Sequence, residues 1–223
     1  EDLAFTTKRH PAWVRHKTAL DERGRLLAMQ IEIVMDAGAY MTLSPVVLSR
    51  GAIHAAGPYA CDHVHIHARA LLTNTPPNGA FRGFGAPQTL FAMERHMDRC
   101  ARAAGLAPDE IRRRNLLREG QTTATGQIIH GEVDLAALMD RALTDAQWTE
   151  RRARYGEENR RHPYLRRGVG LATFHHGAGF TGSGETLLGS EVHVASQADG
   201  RVEILAASTE MGQGEQTVLT QIA

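Results

Sequence analysis

The first third of the chain shows the alternation of apolar and polar residues that is typical of β-strands. Between Ala12 and Gly38 the pattern predicts two strands joined by a turn at Asp21–Gly24, because Val14, His16 and Thr18 alternate with Arg15, Lys17 and Ala19, and the second stretch is rich in Ile, Val and Met. Cys61–Leu72 predicts a third strand, and the Pro- and Gly-bearing residues 74–79 after it predict a turn.

The central part of the chain has helical periodicity instead. Steps of three and four residues predict a helix over Pro87–Ala104 whose apolar face comprises Leu90, Met93, Met97, Ala101 and Ala104. Glu94 and the charged residues near it fall largely on the other faces, and Gly105 stands at the position of a left-handed C-terminal cap. Pro108 is expected to begin a second helix, and Asp134 to cap a third over Leu135–Leu143.

Residues 148–167 differ from both neighbours, since they are mostly Arg, Glu, Tyr and Pro. That composition predicts an exposed helix and a connector. Strands are expected beyond it over Val169–Phe174, Thr186–Val194 and Val202–Ala206, the last two joined by a turn at 197–200. The fold class is therefore α+β, with mixed α/β content in two lobes: a first domain over residues 1–160 and a truncated second one over 161–223.

Charge and composition exclude several classes of protein. Lys and Arg together number 25, as do Asp and Glu, so no net field draws the chain to nucleic acid, and 5% aromatic residues leave few surfaces for base stacking. No apolar run reaches the roughly 18–20 residues that span a bilayer. Cys61 and Cys100 are isolated, which favours a reduced, cytoplasmic setting.

The first candidate site is the glycine-rich loop Ala80–Gln88, which lies between a turn and the central helix. Gly83 and Gly85 flank Phe84 and allow backbone angles that bring a loop close to a ligand, and the following helix directs free N–H groups toward it. An ordinary glycine-rich connection with Phe84 packed inside is the alternative.

The second candidate is Thr209–Gly214, between a strand and a predicted helix. A strand, a glycine turn and a helix N-terminus can form a phosphate cradle from backbone donors, to which Gln213 adds a side-chain amide. The segment contains no Lys and is not a Walker P-loop. Glu210 and Glu215 would repel an anion unless they point away, and a plain strand–helix turn explains the pattern equally well.

Two further patterns favour less specific interpretations. Gly177–Gly182 matches G-x-G-x-x-G, but a strand-like stretch follows where a dinucleotide site needs a helix, so a loop presenting Phe180 and Thr181 is expected instead. His63, His65 and His67 share one face of a strand and would make a zinc hydrolase conceivable, yet no completing ligand is evident. His175 and His176 are weaker candidates because neighbours on a strand face opposite ways.

Together these segments resemble the molybdopterin-binding large subunits of molybdenum hydroxylases of the xanthine dehydrogenase/aldehyde oxidase type. Lys8–Pro11 is similar to the family's entry into a strand pair, and residues 73–88 are similar to its active-site loop. Residues 113–116 resemble the short helix that follows, and residues 209–214 resemble the family's pterin-phosphate segment. Four ordered motifs at compatible spacing are more specific than any one of them.

The resemblance implies roles for individual residues at the cofactor. Gln213, with the backbone of Gly212, would bind molybdopterin, and Arg82 would lie beside the molybdenum centre. The resemblance assigns no protein ligand to the metal. Iron–sulfur clusters and FAD are expected on partner subunits or on further domains.

The same resemblance implies a substrate site for a small planar molecule. Phe84 and Phe180 match the two phenylalanines that hold a flat substrate between them, and Thr181 and Arg50 match residues that bind or polarise it. Stacking excludes water from a planar ring, and the Arg50 guanidinium would act in catalysis by stabilising negative charge that develops on a ring atom.

The implied reaction is hydroxylation of an electron-poor carbon of an aromatic heterocycle or aldehyde, with oxygen from water. Gly83 stands where carbon monoxide dehydrogenases place a copper-binding Cys, so that activity is not expected. The ends of the chain predict an internal fragment. The resemblance implies that the catalytic glutamate and another glycine-rich segment lie outside this chain, that the fragment is inactive alone, and that the complete enzyme is an oligomer. The alternative function is a non-catalytic scaffold or interaction domain of the same fold.

Overall fold

The computed structural model describes residues 5–131, 133–177 and 189–223. The chain divides into two compact units, Glu1–His176 and Gly177–Ala223. The architecture is mixed α and β, as the sequence predicts. The predicted division into domains 1–160 and 161–223 stays a prediction.

A three-stranded sheet is the base of the first unit. Strand β1 (Ala12–Leu20) pairs antiparallel with β2 (Leu26–Gly38), and β3 (His63–Leu72) pairs parallel with β2, which therefore lies in the middle. The turn between β1 and β2 forms where predicted, because the Asp21 carboxylate accepts the N–H groups of Arg23 and Arg25 at 2.9 and 2.7 Å. One face of the sheet is buried by helices, whereas His63, His65 and His67 lie on the other, exposed face.

The crossover from β2 to β3 contains helix α1 (Ser44–His54), which the sequence analysis did not predict. Parallel strands require such a crossover. Gly51 of α1 is buried in the helix, and a Cβ there would lie 2.9 Å from Cε of Met35 on β2 and 3.3 Å from the carbonyl oxygen of Gly85. The missing side chain thus lets α1 pack closely on its neighbours.

Helix α2 (Ala86–Ala103) confirms the predicted central helix and its cap. Gly105 has φ +67°, and Leu106 N–H donates to Ala101 O at 2.9 Å, which closes the last turn. The predicted face is buried at Leu90, Met93, Met97 and Ala101. The expectation that Glu94 lies away from the buried face was wrong: its side chain is buried because Arg112 from α3 (Pro108–Asn115) lies against it.

Two helices follow, and the chain then runs on without regular structure. The Asp134 carboxylate accepts the N–H of Ala137 at 2.8 Å and caps α4 (Leu135–Asp145) as predicted, and α5 (Trp148–Arg161) is the predicted exposed helix. The strand predicted over Val169–Phe174 is not formed. Burial alternates along this stretch as in a strand, but the N–H of Thr173 donates to the Glu94 carboxylate instead of to a neighbouring strand.

The described part of the second unit is a hairpin followed by a helix. Strands β4 (His193–Ser196) and β5 (Val202–Leu205) pair antiparallel across the predicted turn, and α6 (Glu215–Ile222) ends the chain. The strand predicted over Thr186–Val194 was wrong for residues 189–192, because pairing begins only at His193, while residues 186–188 lie outside the described part. No described helix is both long and apolar enough to span a membrane.

We predict that Gly85→Ala lowers the free energy of unfolding far more than Gly105→Ala. Both glycines have positive φ, but a Cβ at Gly85 would lie 2.1 Å from Val47 O, whereas nothing lies within 4 Å of one at Gly105. Chemical denaturation should show a loss of about 1 kcal/mol for Gly105→Ala and about 3 kcal/mol or more for Gly85→Ala. Equal losses would show that the close approach to α1 is absent.

Candidate functional site

The loop before α2 has a backbone that side chains rarely allow. Gly83, Phe84 and Gly85 have successive φ values of +90°, +52° and +97°. Two hydrogen bonds between residues three apart in sequence close the loop, from Phe84 N–H to Phe81 O at 2.8 Å and from Ala86 N–H to Gly83 O at 3.1 Å. A bulky residue at positive φ is strained, so the surrounding contacts must fix Phe84 in place.

Contact with α1 fixes one end of this loop. A Cβ at Gly85 would overlap Val47 O at 2.1 Å and approach Gly51 N at 3.1 Å, so the backbone of the loop lies directly on the backbone of the helix. Arg50 belongs to the same turn of α1 as these two contacts. The structure thereby brings the helix that carries Arg50 together with the loop that carries Arg82 and Phe84.

Arg9 fixes the other end. Its Nη2 donates to Arg82 O at 2.5 Å and its Nη1 to Gln88 Oε1 at 3.5 Å, while its guanidinium lies 4.9 Å from the centre of the Phe81 ring. The sequence pattern indicates Arg9 only as part of an entry into a strand pair and does not predict this contact. A single parallel β-bridge between Arg9 and Gly79 holds the backbone of Arg9 beside the segment that leads into the loop.

The predicted site residues differ in exposure and in how they are placed. Arg82 is exposed, Arg50 and Phe84 are half-buried, and both arginines have interactions within the chain. Phe180 and Thr181 lie outside the described residues. Gly212 and Gln213 belong to the second unit.

A buried ion pair joins the middle of α2 to α3. Arg112 has no exposed side-chain surface, and its Nε donates to Glu94 Oε2 at 2.8 Å and its Nη2 to Glu94 O at 3.0 Å. Its Nη1 donates to Pro108 O at 2.8 Å and lies 3.0 Å from Asp98 Oδ1. The guanidinium is therefore bound on several sides, which a buried charge requires.

Two further groups complete the network around Glu94. The Tyr59 hydroxyl donates to Glu94 Oε1 and lies 2.5 Å from the Thr173 hydroxyl, while Thr173 N–H donates to Glu94 Oε2 at 2.8 Å. Burial, and after it the charge of Glu94, raises the pKa of the Tyr59 hydroxyl well above its ordinary value, so the group keeps its proton and donates. Glu94 thus holds the segment around Thr173 against α2.

The histidines that follow Thr173 both contact His54, at the end of α1. Their ring centres lie 5.3 Å (His175) and 5.2 Å (His176) from that of His54, and His176 Nε2 lies 3.3 Å from Gly83 O. The expectation that the two rings face opposite ways was wrong, because the segment is not a strand. Three imidazoles therefore meet between α1 and the glycine loop.

In the second unit, the turn over residues 209–214 forms between the hairpin and α6, with Gly212 and Gly214 at φ +94° and +81°. Its amides are bound by a side chain of the same turn. The Glu210 carboxylate accepts the N–H groups of Gly212 at 2.7 Å, Gly214 at 3.1 Å and Glu215 at 2.7 Å. A carboxylate therefore lies where the sequence predicted an external anion.

The side-chain amide of Gln213 closes the same turn. Its Nε2 donates to Thr209 O at 2.8 Å and to Glu215 Oε2 at 3.2 Å, and its Oε1 accepts Met211 N–H at 2.7 Å. Hydrogen bonds from Gly214 N–H and then from other amides of the turn lower the pKa of Glu210, so its carboxylate stays charged. The sequence pattern indicates Glu210 only as a charge that repels an anion. In the structure, its carboxylate instead accepts the backbone amides of the turn and holds the turn together.

The histidines of β3 lie together on one face of the sheet. Within the residues that the structure describes, no group of three or more His, Cys, Asp or Glu side chains is arranged to hold a metal ion. His63, His65 and His67 share the exposed face of β3, as the alternation predicts, and pair in register with Ala28, Gln30 and Glu32 of β2.

Comparison with known proteins matches almost the whole chain to one family of domains. A family model described as the molybdopterin cofactor-binding domain matches residues 1–116, and a second model of the same description matches residues 141–223.

Individual relatives agree with this match. The chain is 39% identical over 146 residues to the large molybdopterin subunit of nicotinate dehydrogenase from Eubacterium barkeri, covering 66% of this chain and 34% of that protein. It is 32% identical over its full length to the xanthine dehydrogenase/oxidase of Felis catus, of which it covers 16%. The crystal structure of quinoline 2-oxidoreductase from Pseudomonas putida 86 superposes with a TM-score of 0.82 at 28% identity, over 99% of this chain and 29% of that one.

We predict that Glu94→Gln destabilises the protein strongly, because it leaves the charge of Arg112 buried without its main partner. The free energy of unfolding should fall by about 3–5 kcal/mol. The matched control is Glu110→Gln, which removes the half-exposed pair with Arg114 and should cost no more than about 1 kcal/mol. Similar losses in the two variants, measured by denaturant titration, would contradict the dominant role of the buried pair.

We also predict that Glu210→Gln loosens the turn in the second unit. Amide hydrogen exchange of Gly212, Gly214 and Glu215 should accelerate, because a neutral amide oxygen accepts these bonds less strongly than a carboxylate. Since the pKa of Glu210 is lowered, acidification should produce the same loss only as the pH falls through that lowered value. Glu203→Gln, on exposed strand β5, serves as the control, and unchanged exchange in Glu210→Gln would refute the role of the carboxylate.

Proposed function

Because this chain belongs to the molybdopterin cofactor-binding domain family, we propose that it forms part of the substrate and cofactor site of a molybdenum hydroxylase. The chain spans 34% and 16% of the length of the two curated relatives described above, so the activity is that of a longer protein. The proposed domains are residues 1–160, in the first cofactor-binding domain, and residues 161–223, at the start of the second.

One observation carries the proposal: α1 and the glycine loop are in backbone contact at Gly85. This contact joins the element that bears Arg50 to the one that bears Arg82 and Phe84. The proposed roles follow from their chemistry. The Phe84 ring stacks on a planar substrate, and the Arg50 guanidinium stabilises negative charge on one of its ring atoms. We assign Phe180 and Thr181 to binding of the same substrate.

The loop of the first unit suits a large cofactor. The Arg82 side chain is exposed, and its backbone carbonyl accepts a hydrogen bond from Arg9. The exposed side chain therefore extends from a fixed backbone. The bound cofactor supplies the redox chemistry that transfers oxygen from water to the substrate carbon. Arg82 is proposed to lie beside it, and Arg50 and Phe84 to orient the substrate and exclude water.

The turn of the second unit fits the cofactor in a more limited way. Its amides at Gly212, Gly214 and Glu215 already donate to Glu210, so they do not offer an empty anion cradle. We propose that Gly212 and Gln213 contact the pterin on a turn that Glu210 has already folded. An internal carboxylate suits this role because it fixes the turn before the cofactor arrives.

The names of the relatives support a substrate class for the complete protein. They specify nicotinate, xanthine and quinoline, which are planar nitrogen heterocycles. We propose such a heterocycle, or an aldehyde, as the substrate. We propose that iron–sulfur and flavin domains or subunits accept the electrons, that the complete protein is an oligomer, and that it works in the cytoplasm. Neither nucleic acid nor a membrane is a proposed partner.

The test is made on the full-length protein, produced in a host that synthesises the molybdenum cofactor. Molybdenum and pterin should be present at about one per chain, and turnover should be found with nicotinate, xanthine or quinoline. Arg50→Met should lower kcat/KM by about 10-fold or more, the contribution of a charged hydrogen bond, at unchanged molybdenum content.

Arg69→Met is the matched control, since Arg69 is an exposed arginine on β3 that pairs with Glu32. It should leave kcat/KM unchanged. A full-length protein that never contains molybdenum would instead be a non-catalytic scaffold, and equal effects of the two arginine variants would remove Arg50 from the site.

A further inference from the structure

The three imidazoles between α1 and the glycine loop connect the two elements of the proposed substrate site. His54 is the last residue of α1 and only 1% exposed, and its Nδ1 lies 2.8 Å from the carbonyl oxygen of Arg50, one turn earlier. His176 stacks on His54 at an interplanar angle of 25° and places Nε2 3.3 Å from Gly83 O. A continuous path of contacts thus runs from the Arg50 backbone to the backbone beside Phe84.

The hydrogen-bond partners determine where the protons lie. Both partners are carbonyl oxygens, which only accept, so His54 carries a proton on Nδ1 and His176 on Nε2. Each of these two contacts requires only the proton on the nitrogen that donates.

The position of the second and third imidazoles is fixed independently of the loop. Thr173 is bound through its N–H and its hydroxyl to the Glu94 and Tyr59 network, only two residues before His175. His175 lies 5.3 Å from His54, so both rings reach α1 from a segment that is itself attached to α2. The cluster therefore joins three elements: α1, the loop and the segment around Thr173.

We propose that His54, His175 and His176 form a positioning cluster that sets the place of Arg50 relative to Phe84, and that acid disrupts it. This inference rests on the proposed function for its effect on substrate. The cluster itself is a property of the fold and can be measured without turnover.

The surroundings of the rings disfavour positive charge. In the described part of the chain, the charged and titratable groups that act on His54 are Arg50 from its own helix and His175 and His176 from the facing segment. Burial is the largest effect and lowers the pKa of both His54 and His175. The hydrogen bond from His54 to Arg50 O opposes this shift, whereas the neighbouring His176 and Arg50 add to it. Protonation would place a second cation beside Arg50, so the arrangement is kept at neutral pH and lost as the pH falls through the lowered pKa values.

The first measurement is the pKa of each histidine in the full-length protein, obtained from the pH dependence of hydrogen exchange at imidazole C2 by mass spectrometry. The pKa values of His54 and His175 should lie below the ordinary value of a histidine side chain. Values at or above the ordinary one would overturn the predicted effect of acid on the cluster, whether or not the protein contains molybdenum.

The second measurement separates positioning from general stability. His54→Phe keeps a ring but removes the donor to Arg50 O, whereas His54→Asn restores an N–H donor and carries no charge. With nicotinate, xanthine or quinoline as the probe, His54→Phe should raise KM by about 3- to 10-fold, the value of one hydrogen bond, with a smaller change in kcat. His54→Asn should recover most of that loss and weaken the rise in KM at acid pH.

The control is His67→Phe, which makes the same replacement on the exposed face of β3 and should leave KM unchanged. If no probe is turned over, amide exchange of residues 81–88 replaces KM, and it should be faster in His54→Phe than in His54→Asn. Identical behaviour of His54→Phe and His67→Phe in the assay used would refute the positioning role.

Discussion

The organisation of the first unit depends on the buried ion pair between Glu94 and Arg112. A guanidinium with no exposed surface is tolerated only when its charge and its donors are matched, and here Glu94, Asp98 and Pro108 match them. The same carboxylate also binds Tyr59 and Thr173. One interaction thereby fixes α3, the connection after α1 and the segment that leads to His175 against a single helix, α2.

The candidate site lies at the N-terminal end of α2, where close backbone packing holds the elements together. Glycine at positions 51 and 85 lets α1 and the loop approach until their backbones touch, so the Arg50 helix and Phe84 have little freedom to move apart. The imidazoles of His54, His175 and His176 add contacts between α1, the loop and the segment around Thr173. Rigid placement of a guanidinium and an aromatic ring before substrate arrives lowers the entropic cost of binding, which is the physical basis of the proposed role.

Local patterns in the sequence predicted the elements whose signal is local. Alternation indicated β1, β2 and β3, and the spacing of apolar residues with Gly105 indicated α2 and its cap. Helix α1 was missed because Pro45 and Gly51 interrupt its helical pattern. The need for glycine at position 51 becomes clear only from the packing of Met35 and Gly85 against it. Glu94 was misplaced because its partner Arg112 lies 18 residues away in sequence, and Thr173 was misplaced because its partner Glu94 lies 79 residues away. The motifs at Arg82, Phe84 and Gln213 were recognisable, but neither the contacts of Arg9 nor the carboxylate of Glu210 in its own turn followed from spacing.

The proposed site requires that Arg50 and Phe84 face one substrate. The decisive measurement is an experimental structure of the full-length, cofactor-loaded protein with a planar nitrogen heterocycle bound. The heterocycle should stack on the Phe84 ring, with a ring substituent or nitrogen within hydrogen-bond distance of the Arg50 guanidinium. A heterocycle bound beside the molybdenum cofactor without contact to either residue would contradict it.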